Sequence, residues 1–213
     1  MTKKVHICIV LDRSGSMEDC RTDAIGAVNS YLRQVRDDKE MLARVSLVIF
    51  DSESIDTIRD RVLAATCPEL GASEYQPRAS TPLLDAVGRG IGLLDGKSES
   101  DERRILAVMT DGLENASREF TKERLKALID RKQKEEGWLV LYLGAGHDSW
   151  SQAQHIGVVA ANVANFSKAS MGQTSAATFA RSKRYVDSSD PVRAYMSDGF
   201  TGEERDAMME GDK

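Results

Sequence analysis

Apolar residues in this chain fall in short unbroken runs that alternate with stretches of helical periodicity. The first run, Val5 to Leu11, is followed by a segment from about Glu18 to Arg36 in which Ile25, Val28, Leu32 and Val35 share one helix face. Two further runs, Ala43 to Phe50 and Ser54 to Ile58, lie close enough to pair as a hairpin. A loop-rich passage from Cys67 to Ser80 leads to a helix predicted from about Pro82 to Leu94, with proline in the first turn, where its missing N–H costs nothing. The rhythm returns in the second half, with a strand at Arg104 to Thr110, a charged amphipathic helix from about Thr121 to Glu136, and a strand at Trp138 to Gly144. A short helix near Ser149 to Ile156, a weak strand around Ala161 to Phe166 and a helix near Ser175 to Tyr185 complete the pattern.

Near-continuous apolar strands separated by helices belong to a parallel sheet covered on both faces. The pattern therefore predicts an α/β fold: a doubly wound, mostly parallel central sheet with one antiparallel edge strand and helices on both faces. Residues 3–185 form this domain. Residues 186–213, with the stretch DSSDP and an acidic end, read as a loosely held tail whose one local signal is Thr201-x-x-Glu204, a capping box opening a short final helix.

Composition narrows the function. A chain of 213 residues can bury one sizeable core but has little room for two full domains. A net charge of −5 offers no general footing for a nucleic-acid backbone, which calls for a clustered basic surface. Three cysteines, an odd number with no CxxC pair, read as reduced thiols and not as a disulfide framework or zinc ribbon. The first apolar run contains a histidine and ends at Asp12 without a small-residue cleavage site, unlike a signal peptide. No stretch approaches the ~20 apolar residues of a membrane span, so the expected location is the cytoplasm.

In an open parallel sheet, sites form outside the carboxyl ends of the strands, where the strand order reverses. The loop leaving the first strand reads LDRSGSM and carries Asp12, Ser14 and Ser16 at alternate positions. Thr81 opens the third predicted helix in the stretch STPLLDA, and Asp111 follows the fourth strand in MTDG. Asp and Ser are also ordinary turn formers and helix caps, which is the plain alternative. Together, however, these residues supply two carboxylates and three hydroxyls, an all-oxygen set suited to a hard divalent cation such as Mg²⁺, with Mn²⁺ or Ca²⁺ as relatives. Neutral hydroxyls leave the ion much of its positive charge. An Asp or Glu carboxylate from another protein is then the natural occupant of an open coordination position.

DRSGS (Asp12 to Ser16), the threonine of STPLLDA and the aspartate of MTDG resemble the metal-ion-dependent adhesion site, or MIDAS, of von Willebrand factor A (vWA) domains. The resemblance covers about residues 3–185. It implies a Rossmann-like fold with a metal bound directly by Ser14 and Ser16, and bound directly or through water by Thr81, Asp12 and Asp111. Ala79 and Ser80 depart from a pattern in which relatives often carry glycine, which bears on the backbone shape of that loop. Short cytoplasmic vWA proteins without disulfides resemble bacterial and phage forms, including those associated with tellurite resistance, which implies a stress or assembly role.

These residues leave two main function classes: a metal-dependent module that binds a protein partner, or a hydrolase or phosphotransferase using the same site. A purely structural subunit would not need all five ligands. The chain lacks a GxxxxGK[ST] loop, a GxSxG elbow and a second carboxylate at position 14, which favours the binding module over the enzyme. Other candidates are weaker. His147 and Asp148 should share the edge of the site as loop residues, while His6 and His155 read as packing residues in a strand and a helix. Cys20 reads as a partly buried thiol and the run RKQKEE, Arg131 to Glu136, as a solvated helix face.

Overall fold

The computed structural model describes residues 2–145 and 148–210. Strands β1 (Lys3–Asp12), β2 (Met41–Phe50), β3 (Ile55–Leu63), β4 (Arg103–Thr110), β5 (Leu139–Gly144) and β6 (Val163–Asn165) form one sheet in the order β3-β2-β1-β4-β5-β6. All neighbours are parallel except β2 and β3, the antiparallel edge hairpin. Helices α1 (Arg21–Asp37) and α5 (Met171–Asp187) cover one face; α2 (Leu83–Lys97), α3 (Lys122–Lys134) and α4 (Ser149–His155) cover the other. Strand alternation divides the core between them, because successive side chains point to opposite faces. Ile7, Ile9 and Leu11 of β1 pack with α1 and α5, and Cys8 and Val10 pack with α2. The doubly wound α/β architecture predicted from the pattern is the one observed.

Several boundaries differ from expectation for identifiable reasons. Strand β3 runs on past Ile58 through Arg59, Asp60 and Arg61, because an edge strand tolerates charged side chains on its open side. The pairing shifts between Val45 and Leu47, and Arg61 adopts φ 52 with its N–H donating to Ser46 Oγ at 3.0 Å. The run Arg131 to Glu136 is only partly solvated. Lys132 is buried between Asp95 at 2.5 Å and Glu136 at 2.7 Å, and Gln133 donates to the Gly157 carbonyl at 2.9 Å.

The segment expected as a loose tail is packed. It forms α6 (Pro191–Ser197) and α7 (Gly202–Met208), with Asp190 capping the first by accepting from the Arg193 N–H at 3.0 Å. The Thr201–Glu204 capping box opens the second, as its sequence signal indicated. Ala194, Tyr195, Phe200 and Met208 are buried. Arg181 of α5 is enclosed as well, donating to Asn162 Oδ1 at 3.0 Å and to the Ala194 carbonyl at 2.9 Å. Among the described residues, no helix is long and apolar enough to cross a membrane.

His6 is a packing residue of β1, as expected, and is fully buried. Its Nδ1 lies 2.8 Å from Ser98 Oγ and its Nε2 lies 3.0 Å from Ser46 Oγ. Burial lowers its pKa from 6.5 to about 4, with Glu102 opposing the shift. Between those values the unfolded chain binds a proton that the folded chain does not, so stability falls as the pH drops through that window. His6→Asn should flatten the decline by up to about 3 kcal/mol. Denaturant titrations of both proteins at pH 7 and pH 4.5 measure this, and parallel declines would rule it out.

Candidate metal centre

The strand order reverses between β1 and β4, and the carboxyl ends of these two strands and the loops leaving them carry Asp12, Ser14, Ser16 and Asp111, while Thr81 lies just before α2. Asp12 ends β1 and Thr110 ends β4. The Ser14 N–H donates to Asp12 Oδ1 at 2.7 Å, closing the turn after the strand, and the Thr110 hydroxyl donates to Asp12 Oδ2 at 2.5 Å. Ser14 Oγ lies 3.2 Å from Ser16 Oγ, and the Ser16 hydroxyl donates to Asp111 Oδ1 at 2.5 Å.

Thr81 enters from the other side. A Cβ placed on Gly112 would lie 2.8 Å from Thr81 Oγ1 and 3.5 Å from Asp12 Oδ2, so only glycine lets the Asp111 loop close between them. The structure thus brings Asp12, Ser14, Ser16, Thr81 and Asp111 to one end of the sheet. Asp12, Ser14 and Thr81 are buried, Asp111 is partly exposed and Ser16 is exposed, so the cluster opens to solvent through the last two.

Electrostatics describe what such a cluster needs. Burial pushes the Asp12 carboxyl up to about 6, against the hydrogen bonds from Thr110 and Ser14 that pull it down, and nearby Asp111 adds to the rise. Two acids so placed favour a cation between them. Among the described residues, no group of three or more His, Cys, Asp or Glu could hold a metal ion. The donors here are two carboxylates and three hydroxyls, and this oxygen set fits a hard divalent cation better than a soft one.

The cluster is held by residues that the sequence reading did not single out. Buried Tyr75 donates its hydroxyl to the Asp12 carbonyl, and burial raises its pKa so that it remains a donor. Arg13, inside the DRSGS stretch, is buried and donates to Asp51 at 2.7 Å, Ser54 at 2.8 Å and Asp56 at 3.0 Å, fixing the loop to the β2–β3 hairpin. Asn115 clasps Thr81: its Oδ1 accepts the Thr81 N–H at 2.8 Å and its own N–H donates to the Thr81 carbonyl at 3.1 Å. Asp51, which follows β2 much as Asp12 ends β1, is the signal the sequence offers for this support.

The remaining candidates take other places. Asp148 is exposed at the start of α4, and His147 lies outside the described residues. His155 is exposed in the last turn of α4 and not packed, a correction to the sequence reading, because the buried face of that short helix is taken by Gln152, Ala153 and Ile156. Cys20 is fully buried, its thiol directed at the Met17 carbonyl at 3.6 Å, and Cys8 and Cys67 are buried free thiols too.

Ala79, where the resemblance leads to glycine, takes a conformation that glycine favours. It adopts φ 58, and its carbonyl accepts the Gly15 N–H at 3.1 Å, tying the Thr81 loop to the DRSGS loop. A left-handed conformation costs a residue with a Cβ about 1–2 kcal/mol. Glycine there loses about 0.4–1 kcal/mol through its freer unfolded chain. Ala79→Gly should therefore raise the melting temperature by about 2 °C, measured by thermal denaturation in EDTA; a lower melting temperature would show that the site is unstrained.

No protein-family model matches the sequence, and no curated protein matches it. Solved structures do match the fold. A von Willebrand factor type A structure from Catenulispora acidiphila aligns with 85% of this chain at 16% identity and TM-score 0.62, and the chain spans 43% of that protein. Proximal thread matrix protein 1 from the mussel byssus, with a zinc-occupied MIDAS motif, aligns with 84% of the chain at 15% identity and TM-score 0.56, with 48% of its own length covered. Manganese-loaded TRAP from Plasmodium vivax aligns with 78% of the chain at 16% identity and TM-score 0.55, with 70% of its length covered. The chain thus spans less than half the length of the first two. The fold is that of vWA domains.

Proposed function

We propose that this chain is a metal-dependent protein–protein interaction module. Asp12, Ser14, Ser16, Thr81 and Asp111 would hold a divalent cation, Mg²⁺ in the first instance and otherwise Mn²⁺ or Ca²⁺. The cation would supply an open, electrophilic position that takes an Asp or Glu carboxylate from a protein partner. One observation carries this reading: five oxygen donors from three separate loops converge where the strand order reverses, with Ser16 and Asp111 facing solvent. Zinc in the MIDAS of the mussel protein and manganese in TRAP support a divalent cation in this fold.

The reading assigns binding and no turnover to the site. It takes the partner as protein and not nucleic acid or membrane, in keeping with the net charge of −5. Resemblance to short bacterial and phage vWA proteins supports a cytoplasmic setting in a stress or assembly system. Affinity capture from the native cell tests the central claim. A partner retained in Mg²⁺ should be lost in EDTA, and lost again when the bait is Asp111→Ala; retention in both would overturn the proposal.

A further inference from the structure

The loop carrying Asp111 is gripped by an amide from a different element. Gln152, buried on α4, donates from Nε2 to the Gly112 carbonyl at 3.1 Å and to the Tyr142 hydroxyl at 2.5 Å. Its Oε1 accepts the Glu114 N–H at 2.8 Å. One planar side chain therefore spans Leu113, holding the backbone on either side of it, and is itself anchored to β5 through Tyr142.

From this grip the connections run to two of the proposed ligands. Gly112 follows Asp111 directly, so fixing its carbonyl limits where the Asp111 carboxylate can swing. Glu114, the other gripped residue, accepts at its carboxylate from the Leu84 N–H at 3.0 Å, the Ala116 N–H at 3.0 Å and the Ser117 N–H at 2.8 Å. The next residue, Asn115, makes the reciprocal pair with Thr81.

An apolar side chain could fill the space under this loop but would leave the Glu114 N–H, the Gly112 carbonyl and the Tyr142 hydroxyl without this partner. A buried amide is costly unless its donors and acceptor are met. Here they are met, and two of the three bonds go to the backbone of the site loop. We propose that Gln152 is a positioning residue of the metal centre, holding Asp111 and, through Asn115, Thr81 at the separation the cation requires. The proposal rests on the metal-binding reading above.

Gln152→Met tests it, since methionine keeps the length and volume of the side chain and removes all three hydrogen bonds. Mn²⁺ affinity is measured by titration calorimetry and by electron paramagnetic resonance of free Mn²⁺, and folding stability by denaturant titration in EDTA. Loss of such an outer partner typically weakens metal binding 10–100-fold, so a decrease of about tenfold or more is expected. Leu113→Ala, which alters the exposed side chain of the same loop, should leave the affinity unchanged. A variant that is less stable in EDTA yet binds Mn²⁺ as tightly as the parent would overturn the proposal and leave a structural role. If Gln152→Met does not fold, Gln152→Asn, which carries the same amide one methylene short of its partners, gives the same readout. Absence of Mn²⁺ binding by the parent chain would instead defeat the metal reading itself, so the two failures are separable.

Discussion

Mn²⁺ at a hundred times its dissociation constant is expected to stabilise the chain by about 2.7 kcal/mol, and Ser14→Ala or Asp111→Ala to abolish that gain. For a domain of this size the gain corresponds to a rise of about 5–10 °C in melting temperature. The variants should lose the response without losing the fold. In EDTA, Asp111→Ala removes the hydrogen bond from Ser16, a bond to a charged group whose worth of about 1.5–3 kcal/mol is reduced because Ser16 is exposed and Asp111 partly so. It also removes the acid that adds to the rise in the Asp12 pKa, which offsets part of that cost. Ser14→Ala removes the contact with Ser16 and the side-chain hydrogen bond to Asp12 but leaves the Ser14 N–H on Asp12. Melts of parent and variants in Mn²⁺ and in EDTA therefore separate metal binding from folding. An equal rise in Asp111→Ala, or none in the parent, would show that the cluster is not where metal binds.

What the sequence disclosed and what it hid divide along a physical line. Asp12, Ser14 and Ser16 stand out as candidates because polar residues alternate where an apolar strand ends and further oxygen-bearing residues, Thr81 and Asp111, lie at loops of the same sheet edge, although turn and cap roles use the same residue types. The parallel strands were legible because burial on both faces makes them apolar throughout. Residues that act on the backbone of a distant loop left no such mark. Tyr75 reaches the Asp12 carbonyl across 63 positions and Asn115 reaches Thr81 across 34, so nothing local to either announces the partner.

Helix α5 was underestimated for a different reason. Its inward stripe includes Thr174, Thr178 and Ser182, which read as polar. Each of these hydroxyls donates to the carbonyl four residues back, at 3.1, 2.7 and 2.8 Å, so each side chain buries with its polar group satisfied on its own helix. The helix thereby starts at Met171, before the predicted Ser175. In α6 and α7 the buried residues are few and irregularly spaced, and no periodicity betrayed their packing.

That packing leads to the largest expected effect on stability. Ending the chain at residue 187 should abolish cooperative folding, although the whole predicted metal centre would be retained. Tyr195, Phe200 and Met208 are at most 4% exposed, and burying each such side chain contributes about 1.5–3 kcal/mol. Their joint loss, roughly 5–9 kcal/mol, matches most of the net stability of an ordinary domain, about 5–15 kcal/mol. Truncation also removes the Ala194 carbonyl to which Arg181 donates, so a charge-assisted hydrogen bond is lost together with the apolar area. Substitutions grade the effect. Tyr195→Ala should cost about 3 kcal/mol and lower the melting temperature by about 6–12 °C. Met196→Ser, on the exposed side of the same helix at 58% exposure, should change stability by less than about 0.5 kcal/mol. Calorimetric melts in EDTA rank the three proteins independently of any metal. A truncated chain that still melts cooperatively within a few degrees of the full chain would show that these helices merely lie on a core complete without them.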